Sequence, residues 1–424
     1  MPTATCSTWS RARRHCRDRI PALLSKVFKA FQYRDFRVMW IGACTSSIGT
    51  WMQNLAQSWL VYEISGSAFY LGLDAFLGQI PIILFSLVGG VFADRTSRQK
   101  LLIISQVVQM TCAFTLAVLV FFGLKTIWPI LCLSFVVGTI QAFGGPAYSA
   151  LVPSLVDPED LPNAIALNSI QFNLARVIGP MIGGLALKNL GATWCFGLNG
   201  LSFIAVIITL AMIKVRFKPT PNQGQSVVAS IRLGFGFIRQ RESMTTLIFL
   251  AFAMTLVGFP LIAFLPVFAR QVFHGGPEAY TALLSSSGLG SVAGALIVAA
   301  MGRKKNLGRA ALIMLLAFGI AMSSFAVSTR LALSCFFLFL AGAAMIAVFA
   351  MVSSLVQLIT PDDMRGRVMS VYNVAFRGGM PIGSIILGGI IQSIGAPPVI
   401  AFNGVLLIVL ALWFLFVQRR VAAL

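Results

Sequence analysis

Charge is scarce in this chain. Asp, Glu, Lys and Arg make up 10% of its 424 residues, against roughly 25% in soluble proteins. Meanwhile 58% of residues are hydrophobic, 34 are Phe, and the mean hydropathy is +0.88. A water-soluble fold of this length cannot hide so much apolar surface, so the sequence is read as a polytopic membrane protein. Histidine is scarcer still. His15 and His274 are the only two, and both lie outside the apolar runs. That excludes a haem bundle or a His-dependent membrane enzyme, which need imidazoles clustered in or beside the bilayer. The seven cysteines stand singly, with no C-x-x-C, so neither a disulfide frame nor a metal site is expected. No G-x-x-x-x-G-K-S/T loop occurs, which argues against ATP hydrolysis by this chain. No cofactor is expected, and energy from the proton motive force is.

Acids are the rarer charge: 12 against 32 Lys and Arg, a formal net charge of +20. Such an excess points to nucleic acid only when the basic side chains share a face. Here nine lie between Arg11 and Arg37, and most others sit in short segments between apolar runs. This is the pattern of topology determinants, so the expected partner is the lipid bilayer and not nucleic acid.

About 20 apolar residues, at about 1.5 Å each, cross a hydrocarbon core of about 30 Å. Twelve such runs are present: 38–62, 69–92, 101–124, 127–150, 164–187 and 193–213, then 244–269, 279–301, 310–327, 331–355, 368–394 and 399–417. The loops after odd-numbered spans hold only Lys125, Lys188, Arg270 and Arg330, and Arg176 and Arg377 lie inside spans; the other 26 of the 32 basic residues fall on the opposite side. Short cytoplasmic loops carry the Lys and Arg excess, so both termini are expected on the cytoplasmic side. The first 35 residues, basic and poor in acids, share their composition with organelle transit peptides but have no apolar core of a secretory signal. Ile20, Leu23, Leu24, Val27, Phe28 and Phe31 recur at helical spacing among basic residues, and an interfacial helix is the preferred reading.

The halves of the chain repeat. "VDPEDL" (156–161) is echoed by "ITPDDM" (359–364), and Arg176-x-x-x-Pro180 by Arg377-x-x-x-Pro381. The expected architecture is all-α integral membrane: twelve transmembrane helices in two pseudo-symmetric six-helix bundles, with a central site between them. The units are a basic N-terminal segment (1–37), a first bundle (38–213), a polar cytoplasmic linker (214–243), a second bundle (244–418) and a tail (419–424).

The end of the second span, "GGVFADRTSRQK", resembles the G-x-x-x-D-R-x-G-R-R signature of the major facilitator superfamily. Gly90, Asp94, Arg95, Arg98 and Lys100 are in place, and Ser97 stands where glycine is usual. In the fifth span Gly179, Pro180, Gly183 and Gly184 resemble the G-P-x-x-G-G end of the exporter signature, with Ala175 replacing an earlier glycine. Stretches such as "YRDFRVMWIG", "GTWMQNLAQSWLVYEISGSA" and "TPDDMRGRVMSVYNVAFRGGMPIG" resemble the drug, macrolide and siderophore exporter branch. The resemblance implies the major facilitator fold and export by alternating access, commonly coupled to proton entry. It also implies a gating role for Asp94 against the eleventh span, while Arg95, Arg98 and Lys100 equally serve as positive-inside anchors.

Residues inside spans supply the candidate machinery. Asp74 is the only acid well within one; it is either a proton-coupling carboxyl or a solvated residue at a cavity mouth, and both readings stay open. Arg176 and Arg377 are expensive in lipid, from about 2.5 kcal/mol upward, and each precedes a proline that frees backbone at the arginine itself. Arg176 is therefore expected in a cavity or buried against span 8 or span 1, orienting substrate or gating. Gln53, Asn54 and Gln57, then Gln79, Gln106, Gln109, Gln141, Gln171 and Asn173, are candidate cavity lining, with interhelical hydrogen bonding the plain alternative for each. Together with Phe, Met and Trp they suggest a wide apolar pocket with a few orienting amides, suited to an amphiphilic organic substrate. A transporter acting as a monomer is the leading expectation. A lipid or lysolipid flippase on the same fold is the alternative. A membrane-embedded transferase would need catalytic acids, and the one cluster, Asp157, Glu159 and Asp160, has counterparts in Asp362 and Asp363, which favours an architectural role such as capping the fifth span of each half.

Overall fold

The computed structural model describes residues 28–213, 227–301, 306–418 and 420–422; side chains at 87, 91, 93–95, 227–231 and 301 lie outside that description. Most of the interfacial-helix expectation, the "KPTPNQGQS" stretch and the side chains of Asp94 and Arg95 therefore fall beyond it. What is described is helical throughout. Span 1 is Arg34–Ser65, span 2 Ala68–Arg95, span 3 Arg98–Phe121, span 4 Trp128–Leu151, span 5 Leu161–Leu190 and span 6 Ala192–Met212. Span 7 begins as Glu242–Val257, and spans 8 to 12 are Pro277–Met301, Leu307–Val327, Leu331–Ile359, Asp362–Ile394 and Ala396–Leu412, the last extended by a π turn at Trp413–Val417. Eleven of these helices are long and apolar enough to cross a membrane. Span 1 is the exception, because Thr45, Ser46, Ser47, Thr50, Gln53, Asn54, Gln57 and Ser58 dilute its apolar residues.

The sequence repeat is a packing repeat. Span 1 lies on span 5 as span 7 lies on span 11; spans 2 and 4 pair like 8 and 10, spans 3 and 6 like 9 and 12, and spans 3 and 4 like 9 and 10. The two halves meet where span 2 crosses span 11 and span 5 crosses span 8. Even the turns match. Gly191 and Gly395, with φ of +86° and +87°, each link the fifth span of a half to its sixth, a left-handed conformation that favours glycine.

Two elements differ from the sequence reading. Span 7, expected as one run, is broken after Val257 into a 3-10 segment (Phe259–Phe264), a short helical turn (Leu265–Val267) and a π turn (Phe268–Val272). Pro260 and Pro266 each remove a backbone donor, so the regular ladder cannot continue. The segment 214–243 is not simply linker. It contains the helix Val227–Arg239, which packs against span 11, with Gly234 close against the Arg367 carbonyl.

The acids expected to cap span 5 do something else. Asp160 occupies the N-cap position, but its side chain makes no capping hydrogen bond. Its carboxylate instead pairs with Lys29 Nζ at 2.7 Å and accepts from Gln32 Nε2 and Tyr33 OH, both at 2.9 Å. Tyr33 OH also reaches Asp157 at 2.9 Å, and Asn163 Oδ1 accepts from Ala30 N at 2.9 Å. A clasp thus ties the Lys29–Gln32 turn to the loop before span 5. Among the described residues the second half shows no such clasp: Asp363, the counterpart of Asp160, makes no ion pair there, and Asp362, the counterpart of Glu159, pairs with Arg365 in its own helix. The hydrogen bond from Lys29 holds the Asp160 carboxyl below its ordinary value of 3.8, and Asp160 holds Lys29 above 10.5. A depressed carboxyl contributes stability above its unfolded pKa that is lost as pH falls through the folded one; a raised ammonium contributes below its unfolded pKa and is lost as pH rises through the folded one. Asp160→Asn should therefore lower Tm at neutral pH, and the gap from wild type should close as the pH falls through the depressed range of the carboxyl, below its ordinary 3.8. Tm measured against pH on the purified chain tests this; a gap unchanged at acid pH would remove the ion pair from the account.

Candidate functional site

A cavity of about 890 Å3 lies between the halves. It is lined by Met39 and Ala43 near the start of span 1, Ser86 late in span 2, Leu102 early in span 3, Ser149 late in span 4, Asn168 early in span 5, Leu210 late in span 6 and Ser370 to Arg377 in the first half of span 11. Each of these lies in the part of its helix nearest the face where span 1 begins and span 12 ends, here called the terminal face. The cavity therefore belongs to that face.

The opposite face is shut by contacts between halves. A methyl on Gly72 of span 2 would collide with the Ser384 carbonyl of span 11, and Gly388 lies against Ala68 and Phe69. The Ala68 amide donates to Gln392 Oε1 at 2.9 Å. Across the other seam Gly184 of span 5 abuts Thr281 of span 8, and Trp59 stacks on Tyr280 with ring centroids 6.3 Å apart. The span 5 motif thus faces two ways. Gly179 and Gly183 receive Trp51 and Met52 of span 1, Pro180 is buried between them, and Gly184 receives span 8. Gly379 and Gly383 of span 11 repeat the first contact against Thr255 and Leu256 of span 7. Small residues let helix backbones approach this closely without a hydrophobic driving force between them.

Of the five amides first in line for the cavity, Gln171 alone is in its wall, and it is buried there, donating to the Ala43 carbonyl at 3.1 Å and Ser47 Oγ at 2.7 Å. Gln53 accepts from Asn199 Nδ2 of span 6 at 2.7 Å. Gln57 is held by Asp74 and Ser134, and Asn173 donates to the Ser169 carbonyl of its own helix at 2.8 Å. Asn54 is exposed one turn beyond Thr50 on the same face of span 1, outside the lining. Positions 53, 54 and 57 lie past the inner end of the cavity, where spans close on one another and the amides of Gln53 and Gln57 become interhelical bonds. Gln106, Gln109 and Gln141 do line it, and Gln79 does not. The wall is apolar over most of its surface, as expected, but its polar groups are more than amides: Ser46, Ser47, Thr50, Ser105 and Tyr148 set hydroxyls among Ile, Val and Phe. The hydroxyls were missed because single Ser and Thr residues in a span bond their own helix at little cost and leave no pattern.

The two arginines part company. Arg377 is exposed in the cavity. Arg176 is buried, its guanidinium carbon 5.7 Å from the Trp51 ring of span 1 and its carbonyl oxygen against Gly288 of span 8. Trp51 in turn meets Phe172 edge-on at 6.0 Å. Among the described residues no carboxylate pairs with Arg176.

Asp74 sits between the cavity and the closed face. Gln57 Nε2 donates to both its oxygens, at 3.1 and 3.0 Å, and Ser134 Oγ donates to Oδ1 at 2.5 Å. This joins spans 1, 2 and 4 around one carboxyl, two residues along from Gly72. At the end of span 2, no described neighbour lies close enough to Gly90 to demand glycine there. Arg98 Nη1 donates to the Ala150 carbonyl at 2.9 Å, fastening span 3 to span 4 within one half and not to the other. Ser97 Oγ caps span 3 by accepting from the Lys100 amide at 3.5 Å, a role glycine could not fill.

The helix arrangement matches solved transporters. A nucleoside transporter, NupG, superposes with a TM-score of 0.70 at 15% identity, over 90% of this chain and 98% of that one. A peptide-transporter-family protein in complex with 5-aminolevulinic acid gives 0.73 at 11% identity, over 92% and 97%. By sequence, the chain is 24% identical over 392 residues to macrolide efflux protein A of Streptococcus pyogenes, covering 89% of this chain and 94% of that protein. It is 23% identical over 378 residues to the staphyloferrin A transporter of Staphylococcus aureus (88% and 94%), and 26% over 369 residues to the enterobactin exporter EntS of Shigella boydii (84% and 85%). The profile of transmembrane secretion effectors matches residues 25–423. With its twelve helices, repeated packing and one-sided cavity, the chain is a membrane transporter, not an enzyme, and belongs to the transmembrane secretion effector family of the major facilitator superfamily.

Proposed function

We propose that this protein exports amphiphilic organic molecules from the bacterial cytoplasm by alternating access, acting as a monomer and driven by proton entry. The observation that carries this reading is the one-sided cavity shared by both halves and sealed at its far end by glycine contacts. The terminal face is cytoplasmic in this reading, because the Lys and Arg excess lies there. The structure then corresponds to the cytoplasm-open state that would load cargo. Similarity to exporters of macrolides and siderophores supports the direction. In the return half of the cycle, Asp94 and Arg95 would help close the cytoplasmic face against span 11. Each half, 38–213 and 244–418, would rock as a unit about the 214–243 connection.

Asp74 is the proposed proton site. In the present state the cavity ends short of it, and the Gly72 contact separates it from the opposite face. Opening that seam would wet the carboxyl from outside and allow it to take up a proton that is later released inward. Asp74→Asn keeps an amide where Gln57 and Ser134 can still bond but removes titration. Counterflow, which moves no net proton, should stay near wild type, while substrate-driven proton movement in liposomes should vanish. Full proton movement by the variant would assign coupling elsewhere. The parent reading is tested by pH-gradient transport in proteoliposomes with macrolides, siderophores and lysolipids. Transport of lysolipid alone would replace it with a flippase, and transport of none would overturn it.

A further inference from the structure

Among the described residues the cavity lining holds one kind of formal charge: Arg377 is the charged side chain there, and no described Asp or Glu lines it. Among the described residues the second half contributes one stripe to the wall, Ser370, Asn373, Val374 and Arg377, at spacings of three and four that place them on one face of span 11. The other described lining residues come from the first half. Any cargo that bridges the halves must therefore meet this stripe.

A second observation comes from across the cavity. Gln106 of span 3 lines it, and its Oε1 is buried without a hydrogen-bond partner among the described residues. A buried acceptor without a donor is unfavourable, and turning the Gln106 side chain into the cavity would let a ligand hydroxyl or N–H satisfy it. The surroundings of the mouth reinforce the charge. The acids described at the terminal face are largely neutralised locally: Asp160 by Lys29, Asp362 by Arg365, Glu242 by Arg420 and Asp35 by Arg34. Basic residues outnumber acids on this face, and a cleft walled by low-dielectric protein concentrates anions at such a mouth.

We propose that the cargo is an organic acid carrying hydroxyl or amide donors, and that Arg377 selects it by binding its anionic group. This rests on the export reading and narrows it. A guanidinium presents paired N–H donors that match a carboxylate in a fork, and the Asn373 amide one turn away adds another donor to the same group. Gln106 accepts from a donor elsewhere on the molecule, so the acid is clamped between span 11 of one half and span 3 of the other. A lipophilic cation entering the same space meets Arg377 with no carboxylate to balance it among the described lining residues.

The test is counterflow by the full-length protein in proteoliposomes, with citrate, gluconate and carboxyfluorescein as anionic probes and rhodamine 123 and tetraphenylphosphonium as cationic ones. Anions should exchange and cations should not. Arg377→Gln should reduce anion exchange at least tenfold, Arg377→Lys should retain part of it, and both should melt within a degree or two of wild type because the side chain is exposed. Cation exchange as fast as anion exchange, or anion exchange unchanged in Arg377→Gln, would overturn the charge assignment while leaving export intact. Exchange of neither class would overturn it together with the export reading.

Discussion

Gly72→Val should reduce transport by tenfold or more while leaving the protein correctly inserted in the membrane. Gly72 belongs to the seam between spans 2 and 11, where any side chain would strike the Ser384 carbonyl. Overpacking a close contact costs about 1–3 kcal/mol, and each 1.4 kcal/mol is about a tenfold change in population. Because the seam joins the two halves and is internal to neither, the strain is relieved by separating them. The variant should therefore spend its time open to the opposite face and seldom return to the state that loads cargo. The readout is labelling by a membrane-impermeant maleimide in a cysteine-free background. Ala68→Cys, buried at 4% exposure in the seam, should react from the opposite face much faster when Gly72 is valine. Unchanged labelling together with unchanged transport would mean the seam is not a gate.

Arg176→Met should abolish transport without loss of thermal stability. A buried guanidinium gives up its hydration, and its visible compensation is the Trp51 ring at 5.7 Å, an interaction of about 0.5–2 kcal/mol. Replacing buried ionic groups by apolar ones of similar volume is often neutral or stabilising. A charge with so little static justification has its use elsewhere in the cycle. It lies where span 1 and span 8 both press on span 5, the place where any relative rotation of the halves must repack. Arg176→Lys keeps charge but loses the flat stack on Trp51, and should transport at an intermediate rate. Wild-type transport by Arg176→Met would make Arg176 a packing residue only.

The spans were legible because bilayer thickness imposes a length of apolar sequence, and the repeat was legible because Arg176–Pro180 and Arg377–Pro381 share their spacing. What the sequence could not separate was depth along a helix. Gln53, Gln57 and Gln171 all lie on inward faces of their spans, yet only Gln171 is level with the cavity; the other two sit where the seam has closed and bond Asn199 and Asp74 instead. The break in span 7 was written in Pro260 and Pro266 but hidden by unbroken hydropathy. The clasp on Asp160 links residues more than 120 positions apart, and local pattern carries no information about such a meeting. Arg176 and Arg377 look equivalent by repeat symmetry, but one is stacked in a helix interface and the other faces open space, because the halves contribute unequally to the cavity wall.

The polarity of span 1 has a consequence for biogenesis. The helix that a membrane-insertion machine meets first among the twelve is the only one that fails the test of length and apolarity. Partition of an isolated segment into lipid depends on its summed transfer energy, and Ser46, Gln53 and Gln57 count against it. Its retention must come from companions made later, since spans 5 and 6 supply the buried partners of Trp51, Gly49 and Gln53. Insertion of this chain is therefore cooperative across a long stretch of synthesis, and truncation after the fourth span should leave the first one prone to slip out and be degraded.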